Sequence, residues 1–298
     1  MSSPAEFVKA LLVGRPKETS RLEHERLSKK VGLAVFASDN LSSSAYATEE
    51  MLHVLVLGGA AAIAYSIPVA VALVTVVAVI AYSYRATIHA YPNGGGAYIV
   101  AHENLGKYPG LIAAAALLID YILTVSVSVA AGLAAIVSFA PELHTYRVHL
   151  SLAVIAFITL MNLRGVRESG VLFAIPTYAF LALVGGTIVY GLARVFVFGL
   201  EPVHAHLPEA TQPVTLFFLL RAFAKGSAAV TGIEAVSNGI PAFREPASKN
   251  AAATLTIMVT LLASLFLGIT VLARKLNIAE PQETRTIVGQ VAHAVWGG

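Results

Sequence analysis

Apolar residues run through this chain in blocks of membrane-spanning length. A bilayer core about 30 Å thick needs roughly 20 apolar residues of helix. Uncharged runs of that kind cover residues 62–84, 169–193 and 250–273, and residues 111–139 qualify with a single charge, Asp120. Residues 148–163 are shorter and bear His149 near one end. Residues 31–57 and 214–243 also read as spans, each interrupted by polar and small residues. The pattern predicts an all-α polytopic membrane protein with about seven transmembrane helices, helices 1 and 6 being broken. It divides the chain into a tail (1–30), a transmembrane core (31–273) and an extracytoplasmic loop (274–298) leading to an eighth helix beyond the chain.

Composition agrees. Hydrophobic residues make up 57% of the chain and charged residues 12%, about half the roughly 25% of a soluble globular protein. The absence of cysteine excludes disulfides and thiolate metal sites. Residues 1–30 are polar and basic and lack the apolar stretch of a signal peptide. Thirteen lysines and arginines fall on the N-terminal side of the predicted spans and four on the other, with Arg194, Arg221 and Lys225 inside spans. The positive-inside rule then puts the N-terminus in the cytoplasm of a cell (inner) membrane. The chain stops at Val295-Trp296-Gly297-Gly298 without a cap or charged tail, so a piece of a longer protein is expected.

The two interrupted spans share a design: an apolar start, a stretch of small or polar residues, then an acid. In the first the stretch is SDNLSSSAYATEE (38–50), in the sixth GSAAVTGIEAVSNG (226–239). Unwound backbone survives in lipid only where it is buried or lines a cavity, and interrupted segments at matching places in two half-repeats point to a transporter site. First and sixth match if the repeat unit is five helices, the five-plus-five inverted repeat of the LeuT-like fold. Asp39, Ser42, Ser43 and Ser44 are all good helix N-caps. Capping needs only one of them, however, and an aspartate at the bilayer centre costs roughly 2.5–3.5 kcal/mol. A serine would cap at lower cost, so Asp39 is read as present for its charge.

Span three adds a polar stripe. Asp120, Thr124 and Ser128 recur every fourth residue, on one helical face, with Tyr121 beside them. Thr231 and Glu234 lie across the break of span six. Asp39, Asp120 and Glu234 together would cost roughly 8–10 kcal/mol if charged and unpaired, which cations or protons must offset. Arg221 and Lys225 are either internal counter-charges or groups facing the outer vestibule.

Other chemistries fit less well. HAYPNGGGAYIV (89–100) lacks the lysine and Ser/Thr of a phosphate loop and follows a membrane helix; it reads as a tight turn permitting close backbone approach. His204/His206 and His144/His149 lack third ligands for zinc. No nucleophile–base pairing can be assembled, so no enzyme is expected, and no basic patch with interleaved aromatics marks nucleic acid.

YPNGGGAY after span two, the interrupted first span and TGIEAVSNGIPAFREP in span six resemble the amino acid–polyamine–organocation (APC) superfamily. Within it, FASDNLSSSAYATEE is similar to the potassium-importing branch, the KimA-type and KUP-type proton-coupled symporters. The resemblance covers about residue 30 to 298. It implies an ion site midway through the membrane formed by Asp39, Tyr46, Asp120, Tyr121, Thr124, Ser128, Thr231 and Glu234. Tyr46 and Tyr121 rest mainly on this resemblance. The implied fold has at least ten core helices and KimA-type members carry a regulatory cytosolic C-terminal domain, so this chain is not expected to transport alone.

The expected function is proton-coupled import of potassium, or a similar monovalent cation, by alternating access. Asp39, Tyr46, Asp120, Tyr121, Thr124, Ser128 and Thr231 bind the ion and Glu234 carries the proton. The alternatives are an amino-acid–proton symporter of the same superfamily and a non-transporting sensor or scaffold. An amino-acid carrier leaves glycine-rich unwound backbone in span one for the substrate carboxylate, whereas here Asp39 would repel it and no glycine lies between Gly32 and Gly58. No cofactor is expected. The partners are the lipid bilayer, potassium and protons as cargo, and a second copy of the chain as a homodimer.

Overall fold

The computed structural model describes residues 26–163, 166–203, 209–279 and 285–297. Residues 1–25 of the expected tail, Arg164, and the His204/His206 pair lie outside the described residues.

Membrane-length helices form where the apolar blocks predict them. They are α1 (Lys29–Leu55), α2 (Ser66–Ala90), α4 (Lys107–Phe139), α5 (Arg147–Leu163), α6 (Val166–Phe196) and α8 (Ala247–Lys275). Shorter helices are α3 (Gly96–Leu105), α7 (Leu216–Gly226) and α9 (Ile287–Trp296), the last within the segment expected as a loop. Among the described residues, six helical segments are long and apolar enough to cross a membrane: 66–90, 107–139, 141–163, 169–196, 216–238 and 247–275. The protein is an all-α polytopic membrane protein.

The seventh expected span is α1. At 27 residues it is about 40 Å long, but its polar middle keeps it out of the apolar set. It packs instead against α8, α7, α6 and the turn that follows α7. Leu41, Met51, Leu52 and Leu55 of α1 join Leu73 of α2 and Phe266 of α8 in the buried core. The outer helices behave in the opposite way. Ile119, Ile122, Leu123 and Val125 of α4 are exposed, as expected of side chains that hydrocarbon rather than water solvates.

The expected break in helix 1 is not there. α1 runs without interruption through Asp39 and the serines. Ser42 and Ser43 donate to the Asp39 carbonyl at 2.8 and 2.9 Å, Ser44 to Leu41 at 2.6 Å and Thr48 to Ser44 at 3.0 Å. The hydroxyls are therefore satisfied within the helix, by bonds to carbonyls three or four residues back. With no glycine or proline in this stretch, nothing stops the backbone from continuing. The chain turns only at Gly58 and Gly59, where Gly59 has φ 62°.

The break in helix 6 is there. α7 ends at Gly226, a 3-10 turn follows over Ser227–Val230, Thr231 is extended, and Gly232 takes φ +83°. Helix resumes only for Ala235–Asn238. The far end of this segment is tied to the start of α1: Leu27 N–H donates to the Ala242 carbonyl at 2.7 Å and Arg244 N–H to the Leu27 carbonyl at 3.0 Å. The glycine-rich loop packs on the same segment. Gly94 and Gly95 adopt left-handed conformations, and a Cβ at Gly94 would lie 2.7 Å from the Asn238 carbonyl.

Candidate functional site

The interrupted helix meets α1 at Asn40 and Asp39. Asn40 is fully buried, and its side-chain amide donates to the carbonyls of Thr231 at 2.9 Å and Ala229 at 3.5 Å. Helix interruption frees carbonyls that the hydrocarbon region cannot solvate, and one asparagine takes up two of them. Gly232 sits directly on Asp39: a Cβ there would be 2.8 Å from Asp39 Oδ2. The glycine is required both by its positive φ and by this approach.

Hydroxyls gather around the same junction. Ser128 Oγ, on α4, donates to Asp39 Oδ1 at 2.8 Å. Ser43 Oγ lies 3.2 Å from Thr231 Oγ1 and is hydrogen-bonded to the Tyr46 hydroxyl. Ser43 and Thr231 also donate to backbone carbonyls, of Asp39 and Ala228. A hydroxyl has one hydrogen and two lone pairs, so a hydroxyl that donates to the backbone keeps lone pairs for a cation.

α4 presents its polar stripe to this junction as the spacing predicted. Asp120, Thr124 and Ser128 are half-buried while Ile122, Leu123 and Val125 beside them are exposed. Asp120 lies within electrostatic reach of both Asp39 and Glu234. Thr124 holds its place on the stripe without a hydrogen bond to the other members. Tyr121 is partly exposed, and its hydroxyl accepts from the Asn238 side-chain amide.

Glu234 is buried, and its Oε1 has no hydrogen-bond partner. Asn40 Oδ1, Ser237 Oγ and Asn238 Oδ1 are likewise buried and unpartnered. Four such atoms near one junction are unusual, because buried polar atoms are nearly always paired. No three Asp, Glu or His side chains among the described residues are grouped closely enough to hold an ion by themselves. A cation here would take hydroxyl or carbonyl oxygens along with its carboxylates.

The basic residues of helix 6 are elsewhere. Lys225 pairs with Glu50 at 3.1 Å, both half-exposed, and Arg221 is exposed. Among the described residues no lysine or arginine forms an ion pair with Asp39, Asp120 or Glu234.

The structure thus joins Asp39, Tyr46, Ser128 and Thr231 in one hydrogen-bonded network, with Asp120 and Glu234 in reach and Thr124 and Tyr121 alongside. Sequence reasoning did not single out Asn40, Gly232 or Asn238, and it named Ser43 only as a helix cap. All four sit in the two polar stretches it quoted, but their spacing along one strand of chain carries no sign of contacts made across 190 residues.

A polar junction enclosed by an interrupted helix, within a bundle of membrane-length helices, is the architecture of a membrane transporter. The chain belongs to the amino acid permease family, whose family model matches residues 32–298, and so to the APC superfamily. It is 45% identical over 292 residues to potassium transporter KimA of Bacillus subtilis (strain 168), an alignment covering 97% of this chain and 48% of that protein. The chain spans about half the length of that relative.

Proposed function

We propose that the protein imports potassium, or a similar monovalent cation, across the cell membrane by alternating access, coupled to protons, with its N-terminus in the cytoplasm. The observation that carries this reading is that three carboxylates lie within electrostatic reach of one another around a hydroxyl-lined junction, with no lysine or arginine among the described residues paired to them. Oxygen ligands suit a hard cation that sheds its water.

Asp39 and Asp120 supply the negative charge that favours the cation. The oxygens of Tyr46, Tyr121, Thr124, Ser128 and Thr231 replace its hydration shell. Ser128 donates to the Asp39 carboxylate, and rotation of that one hydroxyl hydrogen frees a carboxylate lone pair for the ion. Glu234 carries the coupled proton: its unpartnered Oε1 is a place for a hydrogen that no neighbouring group already supplies.

The family's description as amino acid permease favours a second reading, an amino-acid–proton symporter. Two observations weigh against it. The uninterrupted α1 offers no half-helix N-terminus for a substrate carboxylate. Asp39 also sets a fixed carboxylate at the junction, which would repel that of a substrate.

Potassium-driven proton uptake into proteoliposomes holding the complete gene product separates the two. A proton signal with potassium or rubidium, absent with amino acids, is expected. Asp39→Asn is expected to abolish it or raise the half-saturation by at least tenfold. An unchanged half-saturation in that variant would remove Asp39 from the site, and a signal with amino acids alone would establish the second reading.

A further inference from the structure

A cavity of about 720 Å³ opens away from this junction, where the last turns of α2 meet the start of α8. Arg85, His89 and Asn93 line one wall, and Glu245, Ser248 and Lys249 the other. Its volume falls in the range of ligand pockets, roughly 300–1,000 Å³.

The charges in it do not cancel. Glu245 is already engaged: its Oε1 is 2.6 Å from Arg26 Nη1, and its Oε2 accepts from the Ala247 N–H at 3.0 Å. Arg85, which lines the cavity, uses one N–H on Thr256 Oγ1 at 3.2 Å and keeps its other donors. Lys249 has no ion-pair partner among the described residues. Two cations therefore remain uncompensated in a concave site, with the Ser248 hydroxyl beside them.

The position of the cavity narrows the ligand. Arg85 lies five residues from the end of α2 and Lys249 two residues from the start of α8, so both stand where apolar spans leave the hydrocarbon. Above them the surface turns apolar. Tyr82, one turn before Arg85 in α2, is 78% exposed, and Ile257, two turns after Lys249 in α8, is 46% exposed. A charged floor under an apolar, outward-facing wall suits a ligand with an anionic head and hydrocarbon chains.

We propose that this pocket binds the phosphate headgroup of an anionic membrane phospholipid, with the acyl chains lying against the groove between α2 and α8. Arg85 and Lys249 contact the phosphate and Ser248 donates to it. A cation near the membrane surface changes anionic-lipid binding by roughly fivefold, so removing both changes it by about 25-fold.

The test is phospholipid retention by the detergent-purified complete gene product in mixed micelles of phosphatidylglycerol or phosphatidylcholine, read by native mass spectrometry. Retention of phosphatidylglycerol over phosphatidylcholine is expected. Its loss is expected in Arg85→Gln/Lys249→Gln, and its survival in the charge-keeping Arg85→Lys/Lys249→Arg, which guards against a merely misfolded variant. Equal retention of the two lipids, or no loss in the Gln variant, would overturn the proposal. So would displacement of phosphatidylglycerol by millimolar inorganic phosphate, since the pocket would then bind a free anion.

Discussion

Asn40 shows how much one side chain can decide. Its amide satisfies carbonyls that the interruption of helix 6 leaves bare, and it does so from the middle of a neighbouring helix. Truncation leaves them without that partner. Leaving a buried acceptor unpaired costs about 1–3 kcal/mol, so Asn40→Ala is expected to lower the thermal unfolding midpoint in detergent by several degrees. Ser42→Ala, which removes only a bond back to the Asp39 carbonyl, is expected to leave it nearly unchanged. Equal midpoints for the two variants would mean that the asparagine does not hold the unwound segment. At this scale the acids and the α4 stripe were legible in the sequence, because charge in an apolar helix is conspicuous whatever it touches. Asn40 and Gly232 were not, because an asparagine among serines and a glycine among alanines become special only through what lies opposite.

Elements follow apolar length closely and polarity poorly. The blocks of uncharged residues became helices within a few residues of the expected limits, since in lipid the helix is the way one segment satisfies its own backbone. Polar content misled for α1. A stretch rich in hydroxyls reads as a place where a helix stops, yet hydroxyls that bond back to their own carbonyls are compatible with helix. What interrupts helix 6 is glycine with positive φ, and span one lacks glycine there. The start of α8 carries a further expectation. The Ala247 N–H and, after it, Arg26 hold the Glu245 carboxyl below its ordinary value of 4.5. A depressed carboxyl contributes stability that is complete above the ordinary value and is lost as pH falls through the folded one. The protection factor of the Ala247 amide against hydrogen exchange, taken relative to an unstructured chain at each pH, is therefore expected to hold at neutral pH, to fall below about 4.5, and to lose this acid dependence in Glu245→Gln. An acid response unchanged in that variant would assign it to another group.

At the scale of the whole molecule, contacts distant in sequence set the geometry. Glu49 Oε2, on α1, accepts from the Ile287 N–H at the start of α9 at 3.1 Å, beside a cavity of about 430 Å³ lined by Arg147, Arg285 and Thr286. A charge-assisted bond of this kind is worth about 1.5–3 kcal/mol. Glu49→Ala is accordingly expected to speed exchange of the Ile287 amide by about tenfold or more, whereas an unaltered rate would mean that Glu49 does not hold that helix end. Both ends of α1 are thus fixed by residues far along the chain, Phe243 and Ile287 among them. The sequence by itself determined that the chain is a helical membrane protein, where its apolar segments lie, and which carboxylates sit in them. Those properties depend on local composition and on the demand that lipid makes of every backbone group. Only the tertiary structure decided which polar stretch unwinds, which oxygens meet, and that Lys225 turns to Glu50 rather than to the acids of the site. Each of these depends on groups up to two hundred residues apart, whose meeting leaves no trace in the pattern of either segment alone.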